Sequence, residues 1–192
     1  MPIKIEELCR YFRVGGSTVR ALDGVSLNID DGEYVTICGA SGSGKSTLMN
    51  ILGCLDVPTS GRYLLDGENV TSLADDKLSH IRGSKIGFVF QSFNLIPYLT
   101  AQENVELPLM YRGIPRRQRR EAAREALEQV GLLNRADHRP CEMSGGQQQR
   151  TAIARAIAAR PSMILAEIST AVPDVWSARY WKRSTCAAKP SS

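Results

Sequence analysis

The chain has 192 residues, of which 43% are hydrophobic and 23% charged, and its formal net charge is +4. These totals predict one globular domain, or one domain with a small appended lobe. No run of eighteen apolar residues occurs, which excludes a membrane-spanning helix in this sequence, and the mild charge permits an anionic ligand without requiring nucleic acid. The five scattered cysteines form no CxxC pair and no Cys/His cluster, so we expect reduced thiols and no zinc. The N-terminus has no apolar signal core, which favours a cytoplasmic chain.

The first thirty-eight residues have the pattern of β-strands. The stretch "SLNI-DDG-EYVTICG" predicts a hairpin with its turn at residues 30–32. Its second arm is an apolar run of the kind found in buried strands, and it ends at Gly39. The following "STLMNILGCL" has helical spacing, with an apolar stripe on Leu48, Ile51, Leu52 and Leu55.

Between the strand and the helix lies "GASGSGKST", which fits the phosphate-loop pattern G-x4-G-K-S. Glycines let the backbone approach an anion without a Cβ in the way, and the helix presents its positive end to the same charge. In this pattern Lys45 reaches the β- and γ-phosphates, and the Ser46 hydroxyl binds Mg²⁺. The motif predicts a nucleotide-binding protein, and the sequence contains no Asn-Lys-x-Asp motif of the kind that GTPases use to read the base.

Further elements alternate strand and helix along the chain. "KIGFVFQ" and "SMILA" are candidates for buried strands, and a short strand with turns is expected near Gly61. One helix is predicted between Pro115 and Gly131, and another begins after Ser144 as its N-cap. The alternation predicts an α/β fold with a helical insertion in the middle of the chain.

The first turn of the helix after Pro115 contains Arg116, Arg117, Arg119 and Arg120, the wrong sign for the helix dipole. This cluster is either a solvated face or a docking patch for an acidic or phosphate-bearing partner.

Three separate motifs follow one another along the chain: "ALDGVSLNIDDGEYVTICGASGSGKSTLMNILGCLD", "FVFQSFNLIPYLTAQENVELPL" and "CEMSGGQQQR". With these motifs in this order, the chain resembles the nucleotide-binding subunits of ABC transporters, and the macrolide-export and lipoprotein-release types in particular. The resemblance covers about residues 3–167. It implies a P-loop NTPase fold with a parallel core sheet and an antiparallel N-terminal β subdomain. The implied nucleotide-binding domain spans 1–170, with a helical subdomain at about 92–150 and an unmatched tail at 171–192.

The resemblance also assigns roles to residues of this sequence. Gln91 matches the glutamine that senses Mg²⁺ and the γ-phosphate, and Phe12 matches the aromatic on which adenine stacks. The signature motif caps the γ-phosphate bound by the opposite subunit of a head-to-tail dimer, which makes physical sense because a serine hydroxyl, bare glycine amides and a helix start attract anions. The implied ATP-binding residues are Phe12, Gly39, Ala40, Ser41, Gly42, Ser43, Gly44, Lys45, Ser46, Thr47, Gln91, Ser144, Gly145, Gly146 and Gln147, with Mg²⁺ at Ser46 and Gln91.

The sequence departs from the family after the last predicted strand, where the family has Leu-Ala-Asp-Glu-Pro-Thr and this chain has "ILAEIST". Aligned without a gap, Glu167 replaces the metal-binding aspartate and Ile168 replaces the catalytic glutamate. With a one-residue deletion, Glu167 is the catalytic glutamate and the aspartate is missing. No histidine follows at the position of the family's switch histidine. Our hypothesis is that a frameshift or truncation near residue 167 removed the family sequence and the C-terminal part of the core.

The resulting expectation is an ATP-binding subunit that couples ATP binding and hydrolysis to export through a separate membrane-spanning permease. It would work as a homodimer or heterodimer of nucleotide-binding domains, held at the inner face of the cell membrane, without nucleic acid as a partner. The alternatives are a degenerate ATP-binding module with little or no hydrolysis, and a nonfunctional fragment. Losing one general base costs about 10²–10⁴ in rate, so hydrolysis is expected to be weak.

Overall fold

A computed structural model describes residues 2–167 and the backbone of residues 184–186. The chain divides into two compact units, one formed by Met1–Ser79 with Pro173–Ser192 and the other by His80–Val172. The first unit contains β1 (Ile3–Val14), β2 (Ser17–Ile29), β3 (Tyr34–Thr36), α1 (Lys45–Leu52), β4 (Ser60–Leu65) and β5 (Glu68–Asn69). Helix α2 (Asp75–Lys85) crosses the boundary, and the second unit continues with β6 (Ile86–Val89), α3 (Ala101–Tyr111), α4 (Arg116–Gln129), α5 (Gly145–Ala158) and β7 (Met163–Ala166). Strand β8 (Ser184–Cys186) follows in the first unit.

An antiparallel sheet with the order β2-β1-β4-β5 forms the N-terminal part of the first unit. Its inner face is apolar and fully buried, with Ile5, Leu8, Tyr63 and Leu65 at 1% exposure or less. The Tyr63 hydroxyl donates a hydrogen bond of 3.0 Å to the carbonyl of Leu52 at the end of α1, so the one polar atom of this ring is satisfied inside the core.

The predicted hairpin between the second and third strands is wrong. The turn itself forms, since the Glu33 amide donates to the carbonyl of Asp30 at 3.2 Å. However, β2 pairs along its length with β1, whereas β3 pairs in parallel with β8 in a different sheet. A turn signal sets the local direction of the chain, but it does not determine which strand the next segment pairs with.

The prediction of an apolar stripe on α1 is confirmed for Leu48, Ile51 and Leu52, which are buried. The stripe ends there, because the helix ends at Leu52 and Leu55 is 48% exposed. The short strand near Gly61 is also confirmed, as β4.

The second unit combines a parallel strand pair with three helices. Strands β6 and β7 run parallel, with Ile86 opposite Met163 and Val89 opposite Ala166, at the positions of the two predicted buried strands. Helix α5 packs closely on β6, since a Cβ at Gly87 would lie 2.8 Å from the carbonyl oxygen of Ala156. The fold is therefore mixed α/β, with parallel and antiparallel pairing, as the sequence predicts.

Helices α3 and α4 pack against α5 in the same unit. Helix α4 begins after Pro115, as predicted, and buries Ala123, Ala126 and Leu127. Helix α3 begins with a capping box between Thr100 and Glu103. Glu106 connects α3 to α4, because it accepts hydrogen bonds from Gln102 of α3 at 2.8 Å and from Arg119 of α4 at 3.1 Å. None of the helices in the described part of the chain is long and apolar enough to cross a membrane.

Gly61 is required by close packing between β4 and β1. Its φ is +93°, and a Cβ there would lie 2.7 Å from the Leu8 Cα and would also collide with the backbone of Glu7. Gly67 has a similar φ of +79°, but a Cβ there would meet nothing within 4 Å.

We expect Gly61→Ala to lower the free energy of unfolding by at least about 3 kcal/mol, because the cost of the left-handed φ is added to the cost of the steric overlap. In the matched variant Gly67→Ala only the left-handed φ is unfavourable, so its free energy of unfolding should fall by about 1 kcal/mol. Urea titration of the two variants measures both values. Equal losses would contradict the close packing of β4 on β1.

Candidate functional site

The loop Gly39–Thr47 lies between β3 and the first turn of α1. Its residues from Gly39 to Ser43 are exposed, and Gly42 and Gly44 have φ values of +79° and +86°. Gly44 is the N-cap of α1, and no side chain caps the helix at this position. The first-turn amides of a helix have no intrahelical acceptor, so this loop offers backbone donors and the positive helix end to a ligand.

Gly44 is also required by sterics. A Cβ there would collide with the carbonyl oxygen of Ala21 in β2 and lie 3.1 Å from the Leu22 Cδ2. At Gly39, a Cβ would lie 2.7 Å from the Ser43 Oγ. Glycine is therefore required at position 44, whereas at position 39 rotation of the Ser43 side chain could make room for a Cβ.

Lys45 lies across the same loop. Its Nζ donates to the carbonyl oxygens of Gly39 at 2.8 Å and Ala40 at 2.6 Å, and its distance to the Ser43 Oγ is 3.3 Å. The ammonium group is therefore held over the curve of the loop by acceptors that all belong to the loop. Ser46, one residue further, is exposed.

Phe12 lies on β1 and is 36% exposed. The guanidinium carbon of Arg10 lies 4.6 Å from the centre of the Phe12 ring. The neighbouring Tyr11 has different partners: its hydroxyl donates to Asp23, and the Arg20 guanidinium lies 5.6 Å from its ring. The hydrogen bond to Asp23 raises the pKa of the Tyr11 phenol. Phe12 has no hydroxyl, so no such hydrogen bond can fix the position of its ring.

In the second unit, Gln91 follows β6 and its side chain is exposed. The next residues bend sharply, with φ values of +59° at Phe93 and +47° at Asn94. Arg155 of α5 holds this bend, because its two terminal nitrogens donate to the carbonyls of Phe93 and Asn94, both at 2.6 Å. Burial lowers the pKa of the Arg155 guanidinium, which nevertheless remains charged because arginine does not deprotonate in proteins.

Asn104 of α3 holds the other half of the same loop. It is fully buried, and its side chain makes hydrogen bonds with the backbone of Ile96, Leu99 and Thr100 at 2.7–3.1 Å. Sequence reasoning missed both Asn104 and Arg155. A polar residue on the buried stripe of a helix is the only signal that could have identified Asn104.

The motif Ser144–Gln147 forms the start of α5, as predicted from its cap. The Ser144 Oγ accepts from the Gln147 amide at 3.3 Å, and the Gln147 Oε1 accepts from the Ser144 amide at 2.9 Å. This reciprocal capping leaves the serine hydroxyl proton available to a ligand. Met143 is buried beneath it, and a Cβ at Gly145 or Gly146 would meet nothing within 4 Å.

Glu167 is the last described residue of the second unit, directly after β7. Its amide donates to the carbonyl of Val89 at 2.9 Å, so its backbone position is set by the parallel pairing with β6. Ile168 and the unmatched tail at 171–192, apart from the backbone of residues 184–186, lie outside the described residues.

The arginine cluster on α4 is not a uniform surface. Arg119 forms a half-buried ion pair with Glu106 at 3.1 Å, and Arg117 pairs with Glu121 at 3.3 Å. Arg116 and Arg120 are exposed. The choice between a solvated face and a docking patch therefore concerns only part of the cluster.

Comparison with known proteins places these features in a family. Residues 22–168 match a family model described as "ABC transporter". The chain is 55% identical over 172 residues to a macrolide export ATP-binding/permease protein of Brucella melitensis, covering 90% of this chain and 27% of that protein. It is 54% identical to an ABC transporter ATP-binding protein of Thermotoga maritima, covering 88% of this chain and 72% of the relative.

A solved structure has the same fold. The dimeric, post-hydrolysis structure of the ATP-binding cassette MJ0796 bound to ADP and Pi superposes with a TM-score of 0.79 at 50% identity, covering 85% of this chain and 72% of that one. The chain thus spans about a quarter of the length of the macrolide export relatives and about three quarters of the cassette. Since the family model covers most of the described residues, and the loop, the Gln91 segment and the start of α5 all lie within it, the chain belongs to the ABC transporter family.

Proposed function

We propose that the chain is the ATP-binding subunit of an ABC transporter and binds Mg·ATP with the loop Gly39–Thr47. The observation that carries the proposal is the geometry of this loop. Two glycines in left-handed conformation expose backbone amides at the start of α1, and the carbonyl oxygens of Gly39 and Ala40 hold the Lys45 ammonium in the same loop. A triphosphate fits such a site, because amides and a helix N-terminus bind phosphate oxygens and the ammonium adds a point charge.

The metal is proposed to arrive with the nucleotide. The described residues contain no group of three His, Cys, Asp or Glu side chains that could hold an ion. Mg²⁺ commonly binds through phosphate oxygens, waters and one or two protein ligands, which suits the exposed Ser46 hydroxyl and Gln91 as contributors. Magnesium supplies neutralisation of the phosphate charge when it is bound.

The start of α5 is proposed to bind the nucleotide of a second subunit. Glycine within a helix costs about 0.5–1 kcal/mol relative to alanine, and packing inside the described chain does not require glycine at position 145 or 146. Bare amides beside the Ser144 hydroxyl instead suit close approach of an anion from outside. The dimeric state of the MJ0796 cassette supports a head-to-tail pair of nucleotide-binding domains, either a homodimer or a heterodimer.

Export through a membrane-spanning permease is the proposed use of ATP. Relatives with 55% identity are named macrolide export ATP-binding/permease proteins, and this chain matches about a quarter of their length. We therefore place the chain in the cytoplasm, peripheral at the inner face of the cell membrane through the permease. Phe12 is proposed as the platform for adenine, and Gln91 as the residue that links the γ-phosphate to the permease.

Hydrolysis separates two candidate functions. In the first, Glu167 acts as the general base for the attacking water and the chain is an ATPase. In the second, the chain is an ATP-binding module with little or no turnover. The second is favoured by the sequence "AEIST", which provides one carboxylate where the family has two.

Lys45→Ala tests the phosphate site. We expect it to weaken ATP binding at least tenfold, because the ammonium lies over the loop that receives the triphosphate. Equilibrium dialysis with radiolabelled ATP measures the loss. Lys77→Ala removes the same charge from an exposed position on α2 and should bind ATP like the unaltered chain. Equal retention by all three proteins would reject the proposed site.

Ile168→Glu tests the hydrolysis site. If Glu167 occupies the aspartate position, the new carboxylate restores the missing base and should raise Mg·ATP turnover at least tenfold above the unaltered chain. Phosphate release is measured beside Lys45→Ala as the background. Turnover well above background in the unaltered chain, with no gain in the variant, would instead identify Glu167 as the base.

Gly146→Ala tests the dimer. We expect a melting temperature equal to or above that of the unaltered chain, because the new Cβ meets open space within the chain. ATP-dependent dimerisation, followed by light scattering on a sizing column, should be lost. Gly83→Ala on α2 is the matched control, since its Cβ also meets nothing within 4 Å and it should leave dimerisation unchanged. A Gly146→Ala variant that dimerises normally would contradict the proposed role of α5.

A further inference from the structure

Arg10 lies against one face of the Phe12 ring. Its guanidinium carbon is 4.6 Å from the ring centre, which is within the range of a favourable cation–π contact. A planar guanidinium covers a ring face, so one face of Phe12 is occupied by its own chain. The side chain is nevertheless 36% exposed, so part of its surface remains open to solvent.

Asp56 fixes the position of Arg10. The Arg10 Nε donates to the Asp56 Oδ2 at 2.9 Å, and the second bond runs from its terminal nitrogen to the Asp56 Oδ1 at 2.7 Å. Both side chains are about three-quarters shielded, with exposures of 22% and 24%. A two-point contact of this kind sets the orientation of the guanidinium plane as well as its position.

The segment that carries Asp56 is itself tied to α1 and to β1. The amides of Leu55 and Asp56 donate to the carbonyl of Asn50 in α1 at 2.8 and 3.3 Å. Thr59 then bonds β1 twice: its amide donates to the Cys9 carbonyl at 2.7 Å, and its hydroxyl accepts from the Tyr11 amide at 3.0 Å. These hydrogen bonds connect β1, the strand that contains Phe12, to α1, the helix that starts at the phosphate loop.

We propose that Arg10 and Asp56 are positioning residues that hold the Phe12 ring for stacking with the base of ATP. The inference rests on the proposed function, because it concerns the same nucleotide site. A phenylalanine ring has no hydroxyl through which the chain could anchor it, so its orientation depends on what covers its faces. The Arg10–Asp56 pair supplies this support on one face of the ring, and the base would stack on the part of the ring that stays exposed.

Two ligands distinguish positioning of the Phe12 ring from a general effect of Arg10 on the nucleotide site. Mg·ATP requires both the base platform and the phosphate loop, whereas inorganic tripolyphosphate with Mg²⁺ requires only the loop. Isothermal titration gives the affinity of each probe for the full chain and for Arg10→Ala, Phe12→Leu and Arg13→Ala. Arg13 lies on the same strand and is exposed, so its removal changes the charge equally without removing a contact to the ring.

We expect Arg10→Ala to weaken Mg·ATP binding about fivefold to tenfold and tripolyphosphate binding less than twofold. Arg13→Ala should change neither affinity by more than twofold. Phe12→Leu should weaken the binding of ATP but not of tripolyphosphate. The double variant Arg10→Ala/Phe12→Leu should bind ATP no more weakly than Phe12→Leu does, because both changes remove the same stacking. If Arg10→Ala does not fold, Asp56→Asn gives the same comparison.

Equal loss of ATP and tripolyphosphate affinity in Arg10→Ala would overturn the inference, and so would full additivity with Phe12→Leu. Failure of the proposed function has a different result. In that case the unaltered chain binds neither probe better than Lys45→Ala does, and the positioning role falls with the site that it serves.

Discussion

The site in the first unit depends on one steric constraint, the approach of the Ala21 carbonyl oxygen to residue 44. Only a residue without a Cβ can occupy this place, and its left-handed φ turns the chain into α1. The same turn leaves the first amides of α1 without internal acceptors and curves the loop beneath the ammonium of Lys45. A larger residue would push the loop away from β2, and the proposed phosphate site would lose its shape.

The loop after Gln91 in the second unit is held by two polar side chains, of which Asn104 is fully buried and Arg155 is partly buried. Asn104 and Arg155 come from two different helices, and together they make hydrogen bonds with six backbone groups of the loop after Gln91. A buried amide or guanidinium is favourable only when its hydrogen bonds are made, so each of these side chains fixes one loop conformation. The Arg155 contact also joins this loop to α5, the helix that begins at Ser144.

The sequence predicted those helices and strands that are determined by residues within them or directly beside them. The Pro115 start of α4, the Ser144 cap of α5 and strands β6 and β7 all lie where the sequence places them, although only Leu165 of β7 is buried. Helix α2 was not identified, because its residues are polar and its apolar stripe is weak. Helix α3 was only implied as part of a helical section, and Pro108 within it is an unfavourable signal. The hairpin prediction failed because β2 forms its hairpin with β1 instead, through the two-residue turn Gly15–Gly16, whose positive φ values only glycine adopts readily, and β3 pairs with β8.

The sequence by itself determined the chemistry of the site: a glycine-rich loop with Lys45, a capped helix at Ser144 and a single carboxylate at Glu167. These features depend on residue types at short spacing, which a linear pattern records completely. The tertiary structure alone decided which glycines are sterically required, what holds the loop after Gln91, and that Arg10 and Asp56 meet at Phe12. The physical reason is that such contacts join residues dozens of positions apart, and their existence depends on how strands and helices pack rather than on any local preference.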